Sequence, residues 1–296
     1  MTQHAIFKEE STKFYYLEYQ LKPNISLESI KSALIKALNP QHNGVNIVIA
    51  FGLKAWNFIQ SDWQPKDICS FKTLNGVNNY AMQSTQQDIF FWIHSQNHDQ
   101  NFDQVLSIQK CMQSLADLQL DLAGFNYHNN RDLIGFEDGT ANPQGDARLK
   151  TALIAKGQKG AGGSYVLSQK WVHNLTAFNQ LNIEQQEKII GRTKLENIEL
   201  KGNDMPIDSH ISRTDVKIDG ESMDIYRRSD PFGNATEHGL YFLAFACEMR
   251  RFETQLKSML GMTNDSIHDR LIEFSQAQTS SFWFAPSQED LQDLLN

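Results

Sequence analysis

Leu133-Ile134-Gly135-Phe136-Glu137-Asp138-Gly139-Thr140-Ala141-Asn142-Pro143 is the stretch on which the reading of this chain turns. It gathers an apolar lead-in, two adjacent carboxylates and two glycines into one compact turn. Glycine allows close backbone approach and positive φ, so such a turn can hold an acid against a ligand. Alone, Asp138-Gly139 is an ordinary hairpin signal. The stretch is decisive because it fits neither of the two patterns that flank it, and so separates them.

Upstream, Phe14 to Tyr19 reads as a strand. Ser26 caps a helix carrying Leu27, Ile30, Leu34 and Leu38. Asn46 to Phe51 and Ile89 to His94 read as buried strands. Phe102, Val105, Met112, Leu115 and Leu118 mark a long amphipathic helix, and Asp121 to Tyr127 a further strand. Downstream the order β-α-β-β-α-β returns. Ser164 to Trp171, Asp224 to Arg228, Leu240 to Cys247 and Ser281 to Phe284 are its strands; Ile183 to Ile190, Met249 to Leu260 and Ile267 to Phe274 are its helical segments. Two such units in tandem predict an α+β protein of two ferredoxin-like halves, each an antiparallel sheet covered by helices. The halves are expected at residues 1–130 and 131–296. The run Gly157 to Gly163 lacks the Lys-Ser/Thr ending of a phosphate loop and precedes a strand, which makes it a surface loop.

Of 296 residues, 40% are hydrophobic and 21% charged, the balance of a globular chain. A net charge of -8 and the lack of a basic stripe exclude a nucleic-acid surface. Cys69, Cys111 and Cys247 are odd in number and far apart, which excludes a disulfide framework and a CxxC metal site. The N-terminus has neither a basic-then-apolar leader nor a twin arginine, and no apolar run is long enough to span a bilayer, so a cytoplasmic protein is expected.

None of the nine histidines forms an HExxH pair. His94, His128, His173 and His268 lack companion acids or thiols at metal spacing, and His238, just before a strand, reads as a turn residue. His210, in the extended-looking Asp208-Ser209-His210-Ile211-Ser212-Arg213, precedes Asp224-Ile225-Tyr226-Arg227-Arg228-Ser229-Asp230. On a strand Arg227 and Arg228 alternate, so one faces inward and the other meets solvent. An inward arginine requires an anion or a developing negative charge.

Taken together, Gly135 to Thr140, Gly191-Arg192-Thr193-Lys194, Ser209 to Arg213, Ile225 to Gly233 and Leu240 to Ala246 resemble the dye-decolourising (DyP-type) haem peroxidases, and most closely their compact cytoplasmic bacterial subgroup. The resemblance implies a fold of the dimeric α/β-barrel type with one haem b, held mainly by the C-terminal half. It also implies reduction of hydrogen peroxide with oxidation of dyes, phenols or other one-electron donors, in a homodimer or higher homo-oligomer. On its motifs His210 matches the proximal ligand of the haem iron, Asp138 the distal acid and Arg227 the distal arginine. Ser229 matches a further distal polar position, and Arg192 a partner for a haem propionate. Asp269 is an alternative partner for His210, since Glu221-Ser222-Met223 fits poorly where some relatives carry an acid. Glu137, at the variable position of the signature, reads as a solvated neighbour. Tyr226, Tyr241, Trp171 and Trp283 read as core aromatics that could also relay electrons. The same pocket would suit haem or porphyrin handling, or haem storage.

Overall fold

The computed structural model describes residues 1–296. The first half contributes strands β1 (Lys13–Leu21), β2 (Asn46–Phe51), β3 (Ile89–Ser95) and β4 (Ala116–Phe125), side by side as β4-β1-β3-β2 and antiparallel throughout. The second half repeats that order with β5 (Ser164–His173), β6 (Asp230–Gly233), β7 (His238–Ala246) and β8 (Ser281–Ala285), arranged β8-β5-β7-β6. Tyr226–Arg227 pairs with β7 upstream of β6, and Ser275–Ala277 with β5 upstream of β8. Two seams join the halves: β6 meets β4 at Phe232 and Gly124, and β8 meets β2 at Phe284 and Phe51. The sheet thereby closes into an eight-stranded barrel, and closure removes the long free edges that would otherwise invite aggregation.

Strand alternation divides the core. Tyr16, Phe90, Trp92, Tyr241, Phe245 and Trp283 fill the barrel interior. Leu17, Ile49, Phe91 and Ile93 face outward, beneath helices α1 (Leu27–Ala37) and α2 (His98–Met112). β3 is therefore buried along its whole length and reads as an unbroken apolar run. Ser26 caps α1 as expected, its Oγ accepting from Ser29 N at 3.1 Å.

Several limits differ from the sequence reading. The helix expected to run to Leu118 stops at Met112, and the following strand opens at Ala116, five residues before Asp121. The i, i+3 spacing of Met112, Leu115 and Leu118 imitates a helix, but Leu118, Leu120 and Leu122 already have the two-residue period of β4. The strand expected over Asp224 to Arg228 pairs only at Tyr226–Arg227, breaks at Arg228-Ser229 and resumes in β6. Ile267 to Phe274 contains a single 3-10 turn, Arg270–Glu273. Further helices are α3 (Ile183–Ile190), α4 (His210–Thr214) and α5 (Met249–Met259).

Candidate active site

A cavity of about 390 Å³ lies between the outer face of the C-terminal sheet and α4, α5 and the Arg270–Glu273 turn. Leu167, Trp171, Leu240 and Phe242 line it from the sheet, and Phe252, Leu256 and Met259 from α5. Its polar residues come from several separate segments of the chain.

His210 is not in an extended segment: it is the first residue of α4, after Ser209, whose Oγ caps the helix by accepting from Ser212 N at 3.2 Å. Its Nδ1 lies 2.6 Å from Oδ2 of Asp269, a carboxylate with no solvent exposure. Asp269 is itself fixed, because its Oδ1 caps the 3-10 turn by accepting from Leu271 N at 2.8 Å. The bond to a carboxylate assigns the proton to Nδ1 and leaves Nε2 as the ring nitrogen available to a metal.

Asp138 and Arg227 occupy another part of the wall. Oδ1 of Asp138 accepts from Gly139 N at 2.6 Å and lies 3.5 Å from Nε of Arg227, close enough for charge pairing but without a hydrogen bond. Nε of Arg227 is buried and has no hydrogen-bond partner. The turn forms through left-handed glycines, Gly135 at φ 92° and Gly139 at φ 78°, and through an antiparallel bridge between Arg131 and Glu137. A side chain at Gly135 would place its Cβ 2.5 Å from Lys194 Cε.

Asn142, in the same turn, was not singled out by sequence. Its Oδ1 accepts from Arg227 N at 2.9 Å and its Nδ2 donates to Arg227 O at 2.8 Å, so it pairs with the arginine as a neighbouring strand would. Glu137, 36% exposed, is only partly solvated. It takes Arg131 at 3.1 Å and Asn197 Nδ2 at 2.6 Å, and it lines the cavity. Arg228 is only partly exposed: it donates to the carbonyls of Ile6 and Lys8 and lies 4.9 Å above the Trp92 ring.

Arg192 lines the cavity, where Nη1 donates to Asn197 O at 2.6 Å and Nη2 to Glu199 at 3.2 Å. Ser229 lies off this wall, on a smaller polar cavity of about 230 Å³ that also touches Asp138 and Arg227; its Oγ accepts from Leu243 N at 3.3 Å. His173, which sequence left without a partner, lies with Nε2 3.1 Å from Asp132 Oδ1 and Nδ1 2.7 Å from Ser275 Oγ, all three buried in the cavity wall. No local spacing could have signalled this set, because Asp132 and Ser275 are distant from His173 in the chain.

An anchored imidazole, an acid and a guanidinium around apolar walls are the equipment of a peroxidase. This chain belongs to the Dyp-type peroxidase family, whose N-terminal model matches residues 12–126 and whose C-terminal model matches residues 129–290. It is 33% identical to the dye-decolorizing peroxidase of Mycolicibacterium paratuberculosis over 269 residues, covering 88% of this chain and 75% of that one. Among solved structures it resembles a dye-decolorizing protein from V. cholerae (34% identity, TM-score 0.90, 99% of each chain). It also resembles a variant of Rhodococcus jostii RHA1 DypB in complex with heme (29% identity, TM-score 0.90, 97% of this chain and 96% of that one).

Proposed function

We propose that this protein is a haem peroxidase whose C-terminal cavity holds one haem b per chain, with His210 as proximal ligand. The observation that carries the assignment is the His210–Asp269 pair, which leaves Nε2 free at a cavity with apolar walls from the sheet and α5. The residues present fit the group. The walls suit a flat apolar macrocycle, Nε of Arg227 has a hydrogen bond still to donate, and Arg192 at the wall could turn from Glu199 to a propionate.

Haem, when bound, supplies the redox-active iron for reduction of hydrogen peroxide, with dyes, phenols or other small one-electron donors as reductants. The protein supplies the proton chemistry. Oδ1 of Asp138 is occupied by Gly139 N, so Oδ2 is the atom that takes a proton from one peroxide oxygen and returns it to the oxygen leaving as water. Arg227 stabilises the negative charge that develops on that oxygen, and Asn142 fixes the arginine's backbone. The Asp269 carboxylate on Nδ1 makes His210 a stronger electron donor through Nε2, which would favour the oxidised metal.

Two ferredoxin-like halves, residues 1–130 and 131–296, describe the domain organisation, supported by the identical strand order on each side of the turn. A cytoplasmic homo-oligomer accords with the family reading, and no helix is long and apolar enough to cross a membrane. The test is the absorption spectrum of haem-reconstituted protein. A histidine-ligated ferric Soret band is expected, and a wild-type spectrum in His210→Ala would refute the ligand assignment.

A further inference from the structure

Two carboxylates that the chemistry above does not use meet the tyrosines of the barrel interior, Glu18 from within it and Asp230 from the smaller polar cavity. Glu18 is 2% exposed, and its Oε1 accepts from the Tyr241 hydroxyl at 2.7 Å and from Ser168 at 3.3 Å. Asp230 accepts from the Tyr16 hydroxyl at 2.8 Å. The two phenol rings stack with centroids 3.9 Å apart and planes inclined by 23°. A barrel filled with aromatics needs no buried carboxylate for cohesion, and burying Glu18 costs desolvation. Burial raises the Glu18 carboxyl to about 7, so both its acid and base forms are accessible near neutral pH.

Position connects this pair to the cavity. Leu240 and Phe242 line the cavity, and Tyr241 between them points to the opposite face of the same strand. The phenol is therefore one sheet away from the cavity, about 10 Å by the spacing of packed layers.

We propose that Tyr241 and Tyr16 form a buried redox site that reduces the peroxide-oxidised centre by one electron, with Glu18 taking the proton of Tyr241. The inference rests on the haem peroxidase reading. Reduction of hydrogen peroxide to two waters consumes two electrons and two protons, and Tyr241 supplies one of those electrons. Its phenolic O–H bond breaks, the electron crosses to the cavity, and the proton bonds to Oε1 of Glu18. The products are a neutral phenoxyl radical and a carboxylic acid. Tyr16 can pass an electron to Tyr241 in turn, releasing its own proton to Asp230. A one-electron donor restores the pair, and the proton returns.

The experiment mixes haem-loaded protein with one equivalent of peroxide at pH 8 without a donor, freezes it, and records the EPR and Soret spectra. Wild type is expected to give a tyrosyl signal. Tyr241→Phe is expected to lose it, as is Glu18→Gln, which keeps a hydrogen-bond acceptor but cannot hold the proton, while both retain the wild-type Soret response. A normal Soret response with no tyrosyl signal in wild type, or an undiminished signal in Tyr241→Phe, overturns the inference and leaves the peroxidase reading intact. No Soret response in wild type overturns both.

Discussion

Nδ1 of His210 and Oδ2 of Asp269 are 2.6 Å apart, with the carboxylate fully buried and capping its own 3-10 turn. Asp269→Asn replaces the anion with a neutral amide and lowers the basicity of the ligand. Spectroelectrochemistry is expected to find a higher ferric/ferrous potential, and haem affinity or activity about 10- to 100-fold lower. An unchanged potential would deny the carboxylate this role.

The proposed mechanism gives proton transfer to Asp138 and charge stabilisation to Arg227. Stopped-flow reaction with peroxide is expected to slow about 10²- to 10⁴-fold in Asp138→Asn. For Arg227→Leu the loss is about 10²- to 10³-fold. A wild-type rate in both variants would reassign the chemistry.

Asn142→Ala removes both hydrogen bonds to the backbone of Arg227. Loss of about 1–2 kcal/mol in chemical denaturation is expected. The peroxide rate should fall as well, since the arginine loses its fixed position. A stability loss with an unaltered rate would make the clamp purely structural.

Glu18 gives stability a defined pH dependence. Its carboxyl rises from 4.5 to about 7 on folding, so between these values the native state binds more protons than the unfolded chain. Its contribution is fully present below pH 4.5 and is lost as pH rises through about 7, amounting to about 3 kcal/mol at most. Thermal melts should show the stability of wild type falling relative to Glu18→Gln between pH 5 and about 8. Parallel curves would exclude the shift. His94, lowered to about 3 by burial, slopes the opposite way and cancels in this comparison.

Local pattern made β2 and α3 legible to the residue, because both are bounded by polar or glycine residues and have one clear period. It failed at Met112 to Leu118, where two periods overlap. Asp138, His210 and Arg227 could be placed through the sequence of short motifs that carry the family resemblance. Asp269 could be offered only as an alternative, since its bond to His210 spans 59 residues. Asn142 and the Asp132–His173–Ser275 set were invisible, because their meaning lies in partners that folding alone brings near.

The seam between β4 and β6 is registered by one pair, Gly124 and Phe232. The turn bearing Asp138 follows β4 and Arg227 precedes β6, so the acid and the guanidinium hang from opposite banks of one narrow joint. Their separation depends on how that joint closes as well as on the Asn142 clamp that ties the turn to the arginine. A side chain at Gly124 would press on Tyr16 at 3.1 Å and on the carbonyl of Pro231 at 3.3 Å. A substitution facing the barrel interior can therefore retune a reacting pair that it never touches.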